Sequence, residues 1–205
     1  MDTQTEIWDL AAPAFVRAIP ALAEIYSAAM RPEPDLLPGR RAIMHHHADL
    51  PSFHSVVAVK ADTDEAVGFA YGFHGRAGQW WHDVVTRELT AHDPAAVPRW
   101  FGDSFEIAEV HVRPESQGRG LGRALLERLT SGRTERTAAL STPVGPSRAR
   151  RLYLSCGFVD VLDSLRFPGS PDQPFAIMAA TLPLREPASR RSSGRSPGSR
   201  STGSA

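Results

Sequence analysis

The sequence predicts an α+β fold in which helices flank a mostly antiparallel sheet. Two β-rich segments, residues 55–61 and 66–74, are separated by the short polar turn DTDE and predict a hairpin. Elsewhere, strand-like segments dominate and helix-like segments interrupt them singly. One helical segment joins the strand-like segments that end near residue 112 and begin near residue 137, which predicts a single βαβ-like crossover.

The first predicted elements of the chain are two helices. Residues 14–30 carry apolar side chains at helical spacing, namely Phe15, Ile19, Leu22, Ile25 and Tyr26. Residues 37–50 repeat this pattern more weakly and predict a second helix. The hairpin follows these helices in the chain.

An aromatic-rich insertion separates the hairpin from the next predicted strand. Residues 76–103 are long for a connection and include Trp80, Trp81, Trp100 and Phe101. Residues 79–89 have a pattern compatible with a helix. The insertion is interpreted either as a lid over a ligand or as a packed flap or dimer contact.

The second half of the chain alternates strands and helices. Residues 105–112 alternate as a strand and lead directly into a glycine-rich turn. Residues 117–129 form the next predicted helix, because one face of it carries Leu121, Leu125, Leu126 and Leu129. The remaining predicted elements are a strand over 137–142, a helix over 147–155 and two closing strands over 158–165 and 175–182.

Composition limits the domain organisation and the partners. The chain has 205 residues, of which 41% are apolar. This fits one domain over residues 1–185, followed by a Ser/Gly/Arg-rich tail over residues 186–205 that we expect to be disordered. Formal net charge is zero, and the chain without its basic tail is slightly acidic, which argues against a nucleic-acid partner.

The same composition predicts the compartment. No apolar run is long enough to span a membrane, and the N-terminus lacks the basic and apolar regions of a signal peptide. Cys156 is the single cysteine, so no internal disulfide forms. We therefore expect a cytoplasmic protein without a membrane partner.

The stretch PESQGRGLG, at the junction of a strand and a helix, predicts an anion-binding turn. The first N–H groups of a helix lack internal partners, and the helix dipole adds positive potential there. Gly118, Gly120 and Gly122 let a phosphate group approach the backbone without a Cβ in the way. Arg119 and Arg123 add positive charge nearby. The stretch matches neither a P-loop nor a dinucleotide fingerprint, because Arg123 stands where each motif requires another residue.

Residues 112–122, VRPESQGRGLG, resemble the acyl-coenzyme A motif of the GCN5-related N-acetyltransferase (GNAT) family. In that family a strand ending in V-x-P precedes Q/R-x-x-G-x-G/A, and Gln117, Gly120 and Gly122 occupy these places. A second family feature, A-x-x-L-Y-x-x-x-G-F, has its counterpart in ARRLYLSCGF, which supplies Ala149, Leu152, Tyr153, Gly157 and Phe158. The resemblance covers residues 15–184 and is strongest over residues 105–160.

The resemblance implies the GNAT fold, a central sheet of about six to seven strands that is splayed between its fourth and fifth strands. It implies acetyl-coenzyme A as co-substrate and no metal. The backbone of Val110, His111 and Val112 would pair with the pantetheine arm, and a backbone N–H near Val110 or His111 would polarise the acyl carbonyl. The N–H groups of Gly118, Arg119, Gly120, Leu121 and Gly122 would hold the pyrophosphate, and Gln117 and Arg123 would bind the coenzyme beside them. Pro146 occupies the place of a family asparagine that contacts the cofactor, so either Ser147 supplies that contact or coenzyme binding is weaker.

The resemblance also implies a general acid and a general base. Tyr153 matches the tyrosine that protonates the departing thiolate. For the base, Glu109 is preferred because it lies nearer the splay point. The alternative, Glu106, lies eleven residues before Gln117, at the base position of the histone-type enzymes. A water molecule or His111 stays open as a third choice. On a regular strand the two glutamates point to opposite faces, so at most one faces the pocket unless a bulge intervenes.

Together these features predict an N-acetyltransferase that moves an acetyl group from acetyl-coenzyme A to a primary amine by direct attack in a ternary complex. A small-molecule acceptor is favoured, since the insertion walls off one side of the site. Two alternatives stay open: a protein lysine or N-terminal acetyltransferase, and a non-catalytic sensor or scaffold that binds acyl-coenzyme A. Exposed aromatics and sheet edges also leave a homodimer open.

Three further features, the histidine triplet, the single cysteine and a Trp-His-Asp cluster, are candidates for metal-binding or catalytic groups. Residues 45–47 are consecutive histidines, which point in different directions on a helix and are interpreted as a solvated or acceptor-facing patch, not as a metal site. Cys156 is interpreted as a buried apolar filler. The cluster of Trp81, His82 and Asp83 leaves a proton shuttle open.

Overall fold

The computed structural model describes residues 4–170 and 172–185, so the predicted tail over residues 186–205 lies outside the described residues. In this part of the chain seven strands form one sheet. They are β1 (Thr5–Leu10), β2 (His54–Lys60), β3 (Ala66–His74), β4 (Ser104–Val112), β5 (Thr137–Pro143), β6 (Val159–Arg166) and β7 (Pro174–Thr181). Their order across the sheet is β1-β2-β3-β4-β5-β7-β6.

Six α-helices connect and cover these strands in the described part of the chain. They are α1 (Ala12–Met30), α2 (Leu37–Ala48), α3 (Trp80–His92), α4 (Ala96–Trp100), α5 (Leu121–Thr130) and α6 (Arg148–Ser155). Single 3₁₀ turns at Pro34–Leu36 and Pro114–Ser116 precede α2 and the glycine-rich turn.

The strand pairing confirms the predicted sheet. Every neighbouring pair is antiparallel except β4 and β5, which are parallel and joined by α5. This parallel pairing is short: Ser104, Phe105 and Glu106 pair with Thr137, Ala138 and Ala139. Both strands continue beyond Glu106 and Ala139 without further pairing between them. The sheet is therefore splayed between its fourth and fifth strands.

Helices cover both faces of the sheet. On one face, α5 and α6 bury Leu125, Leu126 and Leu129 together with Tyr153 against strands on both sides of the splay. On the other face, α1 and α2 pack on β2 and β3 through side chains that include Phe15. The helices α3 and α4 cover the remainder of that face, over β5, β6 and β7.

The insertion packs as part of the core. The predicted helix over residues 79–89 is confirmed as α3 and continues to His92. Val85, Leu89 and Phe101 are buried against Ala139 and Ile177 of the sheet. Of the two interpretations of the insertion, the structure therefore supports the packed flap.

The structure adds strand β1 and the short helix α4 to the predicted elements and moves the start of α5. Strand β1 was not predicted, because its sequence TEIWDL is polar and half exposed and its regularity depends on pairing with β2 over six residues. Helix α5 begins at Leu121 instead of residue 117. Gly118 and Gly120 have φ angles of +80° and +83°, which a right-handed helix does not admit.

Candidate functional site

A β-bulge in β4 decides where its two glutamates point. Tyr71 of β3 pairs with Glu109, but the next residue, Gly72, pairs with Ile107, so Ala108 is an extra residue in β4. The bulge reverses the alternation of side chains between residues 106 and 109. Glu106 and Glu109 therefore lie on the same face of the sheet, the one covered by α1 to α4. On a regular strand the two side chains would point to opposite faces, and the bulge is what brings them to the same face.

Glu109 is held by two basic side chains. Its Oε1 accepts a hydrogen bond from Nη1 of Arg40 on α2 at 2.9 Å, and its Oε2 contacts Nε2 of His111. Burial by itself raises the pKa of Glu109, but the hydrogen bond and charge of His111 and the charges of Arg40 and His47 bring the pKa below its usual value. Both oxygens are occupied, so Glu109 is an ionised and fully engaged carboxylate.

Aromatic rings surround this ion pair. The guanidinium of Arg40 lies 4.8 Å from the ring centroid of Tyr26, and the His111 ring meets the Tyr26 ring edge-on at 5.1 Å. Nδ1 of His47 lies 3.1 Å from the hydroxyl oxygen of Tyr71. The sequence analysis missed Arg40, Tyr26 and Tyr71, because they reach β4 from other elements and carry no local motif.

The histidine triplet matches its interpretation as a solvated or acceptor-facing patch only in part. His45 and His46 are exposed, as a solvated patch requires, but His47 is half buried. Its ring lies 4.8 Å from that of Phe73, centroid to centroid. Burial is the main cause that lowers the pKa of His47 from 6.5 to about 4. His47 is therefore a neutral side chain of the core near neutral pH.

Glu106 has a different environment from Glu109. It is 2% exposed, and its Oε1 lies 2.7 Å from Nδ1 of His82 on α3. Its Oε2 is buried without a hydrogen-bond partner among the described residues. Burial raises the pKa of Glu106, although the hydrogen bond to His82 opposes this shift. Glu106 thus has one oxygen free and a raised proton affinity, as a general base requires.

Tyr153 lies on α6, on the opposite face of the sheet. It is 8% exposed and packs against Phe158, with ring centroids 5.8 Å apart. Burial, followed by electrostatic interactions with Glu109 and Cys156, raises the pKa of Tyr153 to about 12. Its phenol is therefore protonated near neutral pH and is available as a proton donor.

The glycine-rich turn leaves an open space in front of the backbone. At Gly118 and Gly120, a Cβ would meet no atom within 4 Å. Both residues have positive φ angles, so glycine is required for the conformation as well as for the space. An anionic group fits such a turn at a helix N-terminus. At Gly122 a Cβ would lie 3.0 Å from a side-chain carbon of Leu152, so this glycine permits the close approach of α5 and α6.

The other predicted binding residues lie around this turn. Nε2 of Gln117 donates to the carbonyl oxygen of Val112 at 2.9 Å, which ties the turn to the end of β4. Val110 and His111 are half buried, and the edge of β4 that faces β5 has no described strand paired to it beyond Glu106. Arg119 is exposed and Leu121 is half buried.

Two predicted binding residues have structural partners already. The guanidinium of Arg123 binds Oε1 of Glu127 at 3.1 Å and Oγ of Ser155 at 2.7 Å. Oγ of Ser147 caps α6 by accepting a hydrogen bond from the backbone N–H of Arg150 at 3.0 Å. Ser147 also lines a surface cleft of about 530 Å³, which contains neither glutamate nor the glycine-rich turn.

The described residues contain neither a metal-binding cluster nor a membrane-spanning helix. Within residues 4–170 and 172–185, no group of three or more His, Cys, Asp or Glu side chains is arranged to hold a metal ion. No helix in this range is long and apolar enough to cross a membrane. Cys156 is buried, as predicted.

The family follows from comparison with known proteins. A family profile for the acetyltransferase (GNAT) domain matches residues 52–160. The chain belongs to the GNAT acetyltransferase family. A curated relative, a GCN5-like protein acetyltransferase of Mycobacterium tuberculosis, is 43% identical over 123 residues, which are 58% of this chain and 59% of that protein. The matched region thus spans about three-fifths of the relative's length.

Solved structures show that this GNAT chain has the fold of the family. A chain of the NatC complex bound to Gag peptide and CoA superposes with a TM-score of 0.59 at 14% identity, covering 87% of this chain and 99% of that one. A chimeric spermidine N-acetyltransferase from Vibrio cholerae has a TM-score of 0.56 at 17% identity, covering 87% and 96%. PaiA N-acetyltransferase of Thermoplasma acidophilum, in complex with coenzyme A, has a TM-score of 0.54 at 14% identity, covering 87% and 99%. The predicted GNAT fold is confirmed.

Proposed function

We propose that this protein is an N-acetyltransferase that moves an acetyl group from acetyl-coenzyme A to a primary amine in a ternary complex. The observation that carries the proposal is the course of β4. The strand separates from β5 after Glu106, leaves its edge unpaired and ends in a turn where Gly118 and Gly120 face open space. An unpaired strand edge suits the amides of a pantetheine arm, and the turn suits a pyrophosphate.

We assign the general base to Glu106. Glu109 was the preferred base on sequence grounds, but Arg40 and His111 occupy both of its oxygens and lower its pKa. Glu106 keeps Oε2 free and has a raised pKa. When two carboxyl groups of one site differ in this way, the one with the raised pKa is suited to proton transfer.

The chain's own residues then account for both proton transfers. The amine nitrogen attacks the acetyl carbon, and Glu106 takes the amine proton directly or through one water molecule. The C–S bond breaks, and the phenol of Tyr153 gives its proton to the departing thiolate. Backbone N–H groups of the unpaired β4 edge, near Val110 and His111, stabilise the charge that develops on the carbonyl oxygen.

For the acceptor, we propose an amino group of a protein. The relative that shares 43% of matched residues is named a protein acetyltransferase. The sequence-based preference for a small acceptor relied on an insertion that walls off the site. The first turn of α3 reaches the splay, whereas the remainder of α3 and α4 packs into the core over β5 to β7. A small amine acceptor and a non-catalytic acyl-coenzyme A sensor remain the alternatives that the experiment below separates.

The wider setting of this activity is also a proposal. We propose residues 1–185 as one catalytic domain that contains the insertion, acting in the cytoplasm. A homodimer, and acetyl as the preferred acyl group, stay predictions.

Coenzyme binding and turnover test the proposal separately. In calorimetry, acetyl-coenzyme A should bind the unmodified protein and not a folded Gly120→Glu variant, because the new side chain puts a negative charge where the pyrophosphate is expected. Thiol release should then be measured with a lysine-containing peptide, a peptide whose only amine is its N-terminus, and spermidine. We expect turnover with a peptide, reduced about 100-fold or more in Glu106→Gln. The control Glu24→Gln, at a side chain 71% exposed, should leave it unchanged.

Each result has a distinct meaning. Turnover with spermidine alone would replace the protein acceptor by a small amine. Binding without thiol release with any amine would favour the sensor. No binding to the unmodified protein would contradict the enzyme proposal altogether.

A further inference from the structure

The first turn of α3 contacts both of the strands that separate at the splay. Nε1 of Trp81 donates a hydrogen bond to Oγ of Ser141 on β5 at 3.3 Å. Nδ1 of the next residue, His82, lies 2.7 Å from Oε1 of Glu106 on β4. Glu106 and Ala139 form the last registered pair before the strands separate. The insertion therefore brings an ionisable side chain to the point where the proposed chemistry takes place.

We propose that His82 is a positioning residue for the general base. It holds Glu106 by Oε1, keeps the carboxylate ionised and leaves Oε2 free for the proton of the acceptor amine. This inference rests on the proposed function, because it takes Glu106 as the base. As the N–C bond forms and the C–S bond breaks, the amine proton moves to Oε2 and Glu106 becomes a neutral carboxylic acid. His82 stays a hydrogen-bond donor throughout and gains no proton.

Burial makes this hydrogen bond important for the charge of Glu106. Glu106 is 2% exposed and His82 is 8% exposed. A carboxylate without partners in such a place takes up a proton and no longer acts as a base. Burial raises the pKa of Glu106 and is the largest effect. The hydrogen bond and charge of His82 lower this pKa, and so does the charge of His74 on β3. The charge of Asp83 on α3, the smallest of these effects, raises it. Among these described neighbours, His82 is the one that makes a hydrogen bond to the carboxylate.

The packing around the pair restricts the carboxyl group to one position. A Cβ at residue 75 would lie 2.2 Å from Oε1 of Glu106, so Gly75 provides the room that this oxygen needs. The His82 ring is nearly perpendicular to that of Phe101, with centroids 6.1 Å apart. Because Oε1 is held by His82, Oε2 is the oxygen left without a partner in the described residues. Buried oxygens nearly always have a partner, which a substrate amine or a water molecule can supply.

A titration of Glu106 tests the contact without depending on turnover. The ¹³C resonance of the Glu106 carboxyl group, assigned with Glu106→Gln, is followed against pH in the unmodified protein, His82→Ala and His82→Asn. We expect a higher midpoint in His82→Ala, because the hydrogen-bond donor to Oε1 is lost. In His82→Asn the amide N–H replaces Nδ1, so the midpoint should lie between the other two. Equal midpoints in all three proteins would overturn the proposal.

Kinetics test the catalytic consequence. In His82→Ala, kcat should fall roughly tenfold to a hundredfold while KM for acetyl-coenzyme A stays within about twofold, and the acid limb of kcat/KM should move to higher pH. His82→Asn should recover part of kcat. The control His92→Ala changes a histidine of the same helix whose side chain is 62% exposed, and should behave as the unmodified protein.

The outcomes separate this inference from the proposed function. If His82→Ala fails to fold, His82→Asn alone carries the same comparison with the unmodified protein. A shifted Glu106 midpoint with an unchanged pH profile would overturn the positioning role while leaving acetyl transfer intact. An unmodified protein that binds acetyl-coenzyme A but acetylates no amine would contradict the proposed function, and the catalytic role of His82 with it.

Discussion

Single residues of β4 show how one strand provides two carboxyl groups of different character. Arg40 and His111 surround Glu109 and keep it charged, whereas among the described residues Glu106 has a single donor in His82 and one oxygen without a partner. The difference comes from the elements that face each residue, since α2 approaches Glu109 and α3 approaches Glu106. Each glutamate on its own is the same chemical group, so its role follows from its surroundings.

Tyr153 gives a test of the second proton transfer. In Tyr153→Phe the ring keeps its packing against Phe158 but loses the hydroxyl group. We expect kcat to fall about 100-fold with little change in thermal stability or in coenzyme affinity, because only the proton donor is removed. Steady-state kinetics and calorimetric titration on the same preparation check this. An unchanged kcat would contradict the role of the phenol as the proton donor to the thiolate.

The site residues that sequence analysis found and missed differ in the range of their contacts. Gln117, Gly120 and Tyr153 stand in local motifs whose spacing is visible in the chain. Arg40 and His82 meet their glutamates across 69 and 24 residues, so no local pattern indicates these contacts. The cluster of Trp81, His82 and Asp83 carried a weak signal, which becomes interpretable only once α3 is seen to cross the splay.

At the scale of secondary-structure elements, the sequence predicts the long periodic segments well. The strands β2, β3 and β4 and the helices α1 and α3 follow from apolar patterning, which is a property of each segment by itself. Strand β1 is ordered because it pairs with β2. Helix α5 begins only at Leu121 because Gly118 and Gly120 have positive φ angles. These features depend on neighbours and on backbone geometry, which patterning does not contain.

The start of α6 gives an element-scale prediction. Ser147 caps this helix, and the backbone N–H of Arg150 is its donor. Ser147→Ala should lower the free energy of unfolding by about 1 kcal/mol, because that N–H loses its acceptor. Urea unfolding measures the change, and calorimetry measures acetyl-coenzyme A affinity alongside it. If the free energy of acetyl-coenzyme A binding falls by more than the free energy of unfolding, the result supports the coenzyme contact predicted for Ser147. An unchanged free energy of unfolding would contradict the capping role.

For the whole molecule, the splay divides the sheet into two parts with separate cores on one face. Helices α1 and α2 cover the first part, and α3 and α4 cover the second. On the other face, α5 and α6 pack in a single core that includes strands from both parts. Since β4 and β5 share only a short pairing, the two parts are held together by this shared core and by the contacts of α3.

The buried His47 predicts an acid-sensitive stability. Its pKa is 6.5 ordinarily and about 4 in the folded protein. Between these values the unfolded chain binds a proton that the folded chain does not, so stability is lost as the pH falls through this window, by up to about 3 kcal/mol. Glu109, whose pKa is lowered, adds a loss at more acidic pH, in a window that begins near its usual value of 4.5.

Matched variants isolate the contribution of His47. In His47→Gln the loss of unfolding free energy between about pH 6.5 and pH 4 should become smaller, because the titrating group is gone. The exposed His45 of the same helix serves as the control, and His45→Gln should retain the full loss. Urea unfolding at a series of pH values gives the comparison. If the two variants lose stability in parallel, His47 is not the acid-sensitive group.

The extra residue at Ala108 also changes how such a strand is recognised in a sequence. Two acids three positions apart on one face are the mark of a helix, whereas an uninterrupted strand repeats every second position. Here Glu106 and Glu109 have the helical interval and nevertheless share one side of an extended chain, because a single bulged residue lies between them. Across residues 104–112 the alternation of side chains between the two faces of the sheet therefore changes phase at Ala108. The period of two holds separately for the residues before Ala108 and for the residues after it.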